Sequence, residues 1–500
     1  MPGGETAAAG SLAADEDLIE GDRVEVTVGA PAHGGHCVAR IGGPHGRVVF
    51  VRHALPGERV TAEITELHRG YLRADAVEIH EASPDRVTPP CPYARPGACG
   101  GCDLQHASGD AQLRWKAAVV RDQLTRLAGF TPEDQDQIFV RVEPLPPNPA
   151  RPTTSRPPSV SPSEPVPLSA SSSPSVSPSD SVPSAASSSP SVVPSESVAA
   201  AMGGCGVDED PERLLGWRSR IRYAIDAAGR PGLLQHRSNQ VVPIDRCRIA
   251  HPAIQGLDLL ANDWPDLASL QAVASTGGDV AVLARHAGSA APPSGDDLDE
   301  AAEGGPLIRL AGPVEVTEHA GGRAWRVPAQ AFWQVHPAAA GTLVDAVLEM
   351  LRPAEGEIAW DLYGGAGLFA AALAERTGAR TTVVESSSTG VAAARANLAD
   401  LPQAEIVEAR VEAALARRRV TGPVDLVVLD PPRSGAGARV VRAIAAARPR
   451  AVAYVACDPA ALARDLKTFR SLGWRVERLR AFDCFPMTQH IECVAHLVPA

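Results

Sequence analysis

The chain lacks a basic excess. Its 47 Lys and Arg face 59 Asp and Glu, a formal charge of −12, which excludes a polycation that coats nucleic acid indiscriminately and confines any nucleic-acid site to a local patch. It also lacks an apolar run near the roughly 18 residues needed to cross a bilayer. Nor does its start, with Glu5, Asp15, Glu16 and Asp17, show the basic-then-apolar pattern of a secretory signal. No membrane association and a cytoplasmic location are therefore expected. The nine cysteines are an odd number without a secretory context, which argues against a disulfide framework and toward metal-binding or reactive thiols. What is present suffices for several cores: 500 residues, 44% of them apolar, correspond to about three domains at roughly 150 residues each.

The pattern along the chain divides accordingly. Between Asp22 and Glu81, the segments VEVTV, RVVFV, RVTAEIT and ADAVEI alternate as strands do and are separated by turns such as GGPHG and LPGE, so residues 18–81 are expected to form a small OB-like β-barrel. The blocks SRPPSVSPSEPVPLSA, SSSPSVSPSDSVPSAA and SSSPSVVPSESVAAAM follow one another. A Ser/Pro repeat this short cannot bury enough apolar area to offset its ordering entropy, and residues 144–205 are expected to be a disordered insertion. A second weak stretch, His286 to Gly305, reads as a long surface loop. Flanking the insertion, residues 82–143 and 206–330 form a mixed α+β central domain with strands at IRYAI, GLLQH and VVPI; the apolar periodicity from Ala338 to Leu351 predicts a helix. From Ile358, strand, glycine turn and Ala-rich helix repeat, which predicts a doubly wound, Rossmann-like α/β domain over residues 331–500 with its ligand at the carboxyl edge.

That edge carries most of the chemistry. Asp361, Gly364, Gly365 and Gly367 follow one strand directly and lead into a helix, and Glu385 ends the next, where a carboxylate can accept ribose hydroxyls. The spacing is not that of a pyrophosphate-binding glycine fingerprint, so a nucleoside cofactor without phosphates is expected, and S-adenosylmethionine fits. At the ends of the later strands, prolines in LDPPR and ACDP stop the strand and leave Asp430 and Cys457 at the same edge. Upstream, Cys91, Cys99 and Cys102 crowd into the loop CPYARPGACGGCDLQH, as zinc or an iron–sulfur cluster would require, with Cys205 and Cys247 as candidates for the fourth ligand. Cys37, Cys484 and Cys493 have no such company and read as core thiols. Arg213, Arg218, Arg220, Arg222, Arg230, His236 and Arg237, near Trp217 and Tyr223, form the best local basic patch for holding phosphates beside stacked bases, with three of the arginines alternating onto one side of a strand.

DLYGGAGLF, LDPPRSG, Cys457 in ACDP and the late His490-Ile491-Glu492, in that order, resemble the class I S-adenosylmethionine-dependent RNA uracil-5-methyltransferases. Residues 18–81 resemble the RNA-binding TRAM domain that precedes the catalytic domain in part of that family, and Phe332-Trp333-Gln334 resembles its F-x-Q segment. The resemblance implies methylation of C5 of a uridine in RNA, with 23S rRNA favoured over tRNA, through a covalent adduct to C6. It makes Cys457 the nucleophile, Glu492 the base that removes the C5 proton, and Asp430 an orienting carboxylate that also contacts the cofactor. Gln334, Tyr363, Glu385, Asp361, Gly364 and Gly367 are the other implied cofactor contacts. It also favours Cys247 as fourth ligand and hence a 4Fe-4S cluster. Leu368 and His336 depart from residues common in the family, as does the gap between Cys91 and Cys99. A cytosine-5 methyltransferase and a catalytically silent RNA-binding protein are the alternatives; the former's Pro-Cys or Thr-Cys patterns are not met by ACDP with a late HIE.

Overall fold

The computed structural model describes residues 18–139, 141–147, 211–288 and 307–500. The Ser/Pro repeats, Cys205 and most of the stretch expected as a surface loop near residue 290 lie outside these. The N-terminal strands Arg23–Thr27, Pro31–Ala32, His36–Ile41, Arg47–Arg52, Arg59–Leu67 and Tyr71–Glu81 form one six-stranded sheet. Alternation drives it: Leu72, Ala74 and Ala76 point inward from the last strand, as do Val60, Ala62 and Ile64 from its neighbour. The sheet curls back on itself, because Gly29 N–H donates to Val38 O (2.7 Å) and Val38 N–H to Ala30 O (2.9 Å). Trp115 and Val119 of the helix Gly109–Gln123 close its core.

A second sheet runs in the order Val241–Pro243, Pro231–Leu234, Arg220–Ile225, Leu267–Ala274, Val280–His286 and Ile308–Ala311. Its pairings are antiparallel, and its core contains Trp217, Tyr223, Trp264 and Leu270 together with Cys102 and Cys247.

The C-terminal sheet has eight strands. Five are parallel, in the order Ala404–Glu408, Thr381–Glu385, Ala359–Leu362, Leu426–Leu429 and Ala451–Ala456. The last two of these are buried along their whole length, as expected for strands covered by helices on both faces. Glu492–Pro499 and then Trp474–Asp483 continue the sheet antiparallel. The final strand is Val142–Pro144, parallel to Trp474–Asp483, so a segment that sequence patterning assigned to the central domain completes the catalytic sheet instead. The chain reverses its order of strand addition between Ala359–Leu362 and Leu426–Leu429, a switch point whose carboxyl side opens a crevice for a ligand.

Candidate active site

At the switch point, Asp361 is fully buried inside its strand. Its Oδ2 accepts from Ala370 N–H (2.8 Å), which pins the following helix to the strand. Its Oδ1 is buried without a hydrogen-bond partner among the described residues. Burial pushes this carboxyl up to about 7, against the pull of the Ala370 amide and with a further push from Glu385. Gly364 must be glycine, since a Cβ would lie 2.5 Å from Val383 Cγ1. Tyr363 adopts a left-handed φ of 65°, a conformation that costs energy for a bulky side chain and marks a constrained turn.

Glu385 does more than its sequence position suggested. It accepts from Gly365 N–H (2.9 Å) and from the amides of Ser386 and Ser387 (2.6 Å each), tying the glycine turn to the end of the neighbouring strand. Trp333 shares a core with Ala370, Val383 and Leu398, and the adjacent Gln334 is buried. His336 lies stacked against Trp217 and caps Ala338 N–H. Asp430 leaves the neighbouring strand directly across the crevice, its amide donating to Leu362 O (3.2 Å). A buried acceptor with no partner, a turn too tight for a side chain and a backbone-anchored carboxylate together suit the ribose, the amino group and the positive sulfonium of S-adenosylmethionine.

The second half of the site is set by strand register. Ala451–Ala456 pairs with Glu492–Pro499 such that Ala456 faces Cys493. Cys457 directly follows the last paired residue of the first strand and Glu492 begins the second, so the two lie at the same end of this strand pair. Cys457 is half-buried at the exit of its strand, and Glu492 is 2% exposed. Asp458 caps the helix Pro459–Ser471 through Ala461 N–H (2.6 Å) and pairs with His33 Nε2 (2.9 Å), a residue of the N-terminal module. Burial works to raise its carboxyl, but His33, the Ala461 amide and Arg464 outweigh it and hold it below the usual range. Cys457 opens into a cavity of about 280 Å3 that His490 also lines. Burial, with nearby Arg433 and Lys116, pushes His490 down to about 3, so it is neutral near pH 7.

Sequence reasoning missed the residues that hold the loop leading to Glu492. Lys116 is wholly buried, pairs with Asp483 Oδ1 (2.5 Å) and donates to Phe485 O (3.1 Å). Gln112 Oε1 accepts from Met487 N–H (2.8 Å), and Met487 O accepts from the amides of Asp103 and Leu104 (3.1 and 3.0 Å). Asp103 Oδ2 accepts from Gln489 N–H while its Oδ1 pairs with Arg52 (3.1 Å). One local signal existed, a lysine sharing a helix face with Val119 and Val120. Its partner, hundreds of residues away, had none.

The structure brings Cys91, Cys99, Cys102 and Cys247 around one small cavity. Burial pushes the Cys99 thiol up to about 12, with Cys247 and Cys91 adding to the effect, and raises those of Cys102 and Cys247. Gly100 N–H donates to Leu234 O (3.0 Å), so this loop backs onto the turn that carries His236 and Arg237. Among the described residues, no group of three or more His, Cys, Asp or Glu is gathered so as to hold a metal ion. Cys37, Cys484 and Cys493 are buried in hydrophobic cores.

The basic patch requires correction. Arg220 is buried, paired with Glu318 (3.1 Å) and bonded to the carbonyls of Ala329 and Ala331. Arg218, Trp217 and Tyr223 are buried as well. Arg218 and Arg220 therefore bind the fold together rather than face solvent, while Arg222 is half-buried. Only the far end of the patch, His236 and Arg237, reaches the Cys457 cavity.

Fold and site together define a methyltransferase-type α/β domain preceded by a β-module that lines the Cys457 cavity. Residues 18–77 match the TRAM domain family and residues 316–499 the tRNA (Uracil-5-)-methyltransferase family. An RNA methyltransferase of Streptomyces avermitilis is 44% identical, the alignment covering 96% of this chain and 99% of the relative. One from Streptomyces coelicolor is 42% identical, covering 96% and 94%. The solved Pyrococcus abyssi tRNA (uracil-54, C5)-methyltransferase, in complex with S-adenosyl-L-homocysteine, has the same fold, with a TM-score of 0.60 at 22% identity, covering 95% of this chain and 100% of that one. The chain belongs to the S-adenosylmethionine-dependent RNA (uracil-5-)-methyltransferase family with an N-terminal TRAM domain.

Proposed function

We propose that this enzyme methylates C5 of a specific uridine in RNA through a covalent adduct between Cys457 and C6 of the base, and that 23S rRNA is favoured over tRNA. The observation that supports the chemistry is the strand pairing Ala456–Cys493, next to which Cys457 and Glu492 lie at the same sheet edge. C5 of uracil is a weak nucleophile. Addition of the Cys457 thiolate to C6 forms a C–S bond and moves the electron pair through C5 into the C4 carbonyl, leaving an enolate whose C5 is nucleophilic. Bound S-adenosylmethionine supplies a methyl group activated by its sulfonium. Glu492 then takes the proton still on C5, and the electron pair of that bond re-forms C5=C6 as the C–S bond breaks and Cys457 leaves. Asp361, Glu385, Gln334 and Tyr363, with the turn at Gly364 and Gly367, hold the cofactor, and Asp430 orients base and cofactor across the switch point.

The preference for ribosomal RNA rests on the combination of a TRAM module with a cysteine-rich loop, while the solved neighbour is named for a tRNA position. Incubation with methyl-labelled S-adenosylmethionine and separate 23S rRNA and tRNA transcripts tests both parts of this reading. Label in 5-methyluridine of the 23S transcript is the expected result. Label confined to tRNA would overturn the RNA preference, and label in cytidine, or none in either RNA, would overturn the reaction.

We further propose that Cys91, Cys99, Cys102 and Cys247 hold a 4Fe-4S cluster. The four thiols line one shared cavity, and a four-thiolate set is the donor set that such a cluster takes. Its place would be structural, tying the loop of Asp103 and Leu104 to the central domain. Protein purified without oxygen is expected to contain about four iron and four sulfide per chain, and Cys247→Ser to lose them. Stoichiometric zinc in place of iron would contradict this assignment.

A further inference from the structure

The cavity at Cys457 is walled by modules far apart in sequence. Arg73 comes from the N-terminal sheet, Arg237 from the turn of the central domain, and Asp458 is the sole acidic residue among the described residues of its lining. Asp458 is already engaged by His33 and the Ala461 amide. Arg73 and Arg237 share a single carboxylate: Glu66 lies 3.3 Å from Arg73 Nε and 3.8 Å from Arg237 Nη1, and also takes His68 at 2.9 Å. Two guanidiniums against one divided carboxylate leave positive charge facing the cavity. The neighbouring imidazoles respond to that field. His36, 3.0 Å from Arg73 Nη1, and His236 are pushed down to about 2 and about 3, by burial first and then by the surrounding arginines. His236 Nε2 is buried without a hydrogen-bond partner among the described residues.

A uridine that presents C6 to Cys457 has to leave its stack, and its base then carries its own phosphodiester to the cavity mouth. We infer that Arg73 and Arg237 form a phosphate-binding subsite for the RNA backbone at the flipped nucleotide, so that the TRAM and central modules grip the backbone while the catalytic domain holds the base. This inference rests on the proposed RNA substrate. In it, the TRAM module is a wall of the active site, and a phosphate competes with Glu66 for both guanidiniums, which present the fixed donor forks that suit phosphate oxygens.

Equilibrium binding of the full chain to the 23S rRNA transcript across a salt series, with the tRNA transcript in parallel, tests the subsite. Arg73→Gln and Arg237→Gln are each expected to reduce the slope of log affinity against log salt by about one phosphate contact. Glu66→Gln is expected to tighten binding at low salt. Arg237 is exposed, so its variant keeps the test readable if Arg73→Gln fails to fold. Unchanged slopes in the folded variants, with salt-dependent binding by the wild type, would overturn the subsite alone. Absence of salt-dependent RNA binding by the wild type would overturn the RNA reading on which it rests.

Discussion

Replacing Cys457 with alanine is expected to reduce methyl transfer by on the order of 10⁴-fold or more, because the attacking C5 carbon does not exist as a nucleophile until a thiolate has added to C6. Binding of RNA and of S-adenosylmethionine is expected to persist. The cofactor end of the crevice is built from Asp361, Gly364 and Glu385, earlier in the chain, and the two carboxylates there are held by backbone amides. Single-turnover assays with excess protein, combined with RNA binding, separate the two effects. A turnover rate within tenfold of the wild type would mean that C5 is activated in some other way. Cys457→Ser is a stricter version, since a hydroxyl in the same position is a far poorer nucleophile toward C6.

Glu492→Gln is expected to act differently. Addition and methyl transfer both precede the step assigned to Glu492, so the variant is predicted to form the methylated adduct and then stall, with steady-state turnover reduced about 10²–10⁴-fold. A covalent protein–RNA species that survives denaturation should therefore accumulate on ordinary uridine-containing RNA. Glutamine preserves the size of a side chain that is 2% exposed and is unlike a truncation that would open a cavity. Loss of turnover without any adduct would place Glu492 in an earlier step or in the fold alone. The account also requires that the loop before Glu492 keep its shape. The buried Lys116–Asp483 pair and the amides of Asp103 and Leu104 on Met487 do this.

Much of this site was legible because glycine and proline punctuate it. The turn at Gly364–Gly367, the strand-ending LDPPR and ACDP segments, and the short β runs before them place Asp361, Asp430 and Cys457 on one sheet edge with no knowledge of the tertiary contacts. That Cys457 and Glu492 come to the same end of one strand pair needed the pairing itself, and the resemblance to a family had implied only their roles. Other features left no local trace. Val142–Pro144 is a three-residue strand, too short to show a period. Arg218 and Arg220 look like a solvated charge run, yet burial against Glu318 and backbone carbonyls makes them structural. The contribution of His33 and Arg73 to the Cys457 cavity depends on how the curled N-terminal sheet docks, and long-range docking of this kind is not written in periodicity or turn chemistry.

The central claim is tested most directly by trapping the adduct. Wild-type protein and Cys457→Ala would each be mixed with S-adenosylmethionine and 23S rRNA carrying 5-fluorouridine, and the denatured products mapped by mass spectrometry. Fluorine at C5 cannot be removed as a proton is, so elimination is blocked after methyl transfer and the C–S bond persists. The account predicts a denaturation-resistant adduct on the peptide containing Cys457, carrying one methyl group, in the wild type and not in the variant. An adduct on another residue, or methyl transfer to ordinary RNA with no trapped species on the fluorinated one, would contradict it.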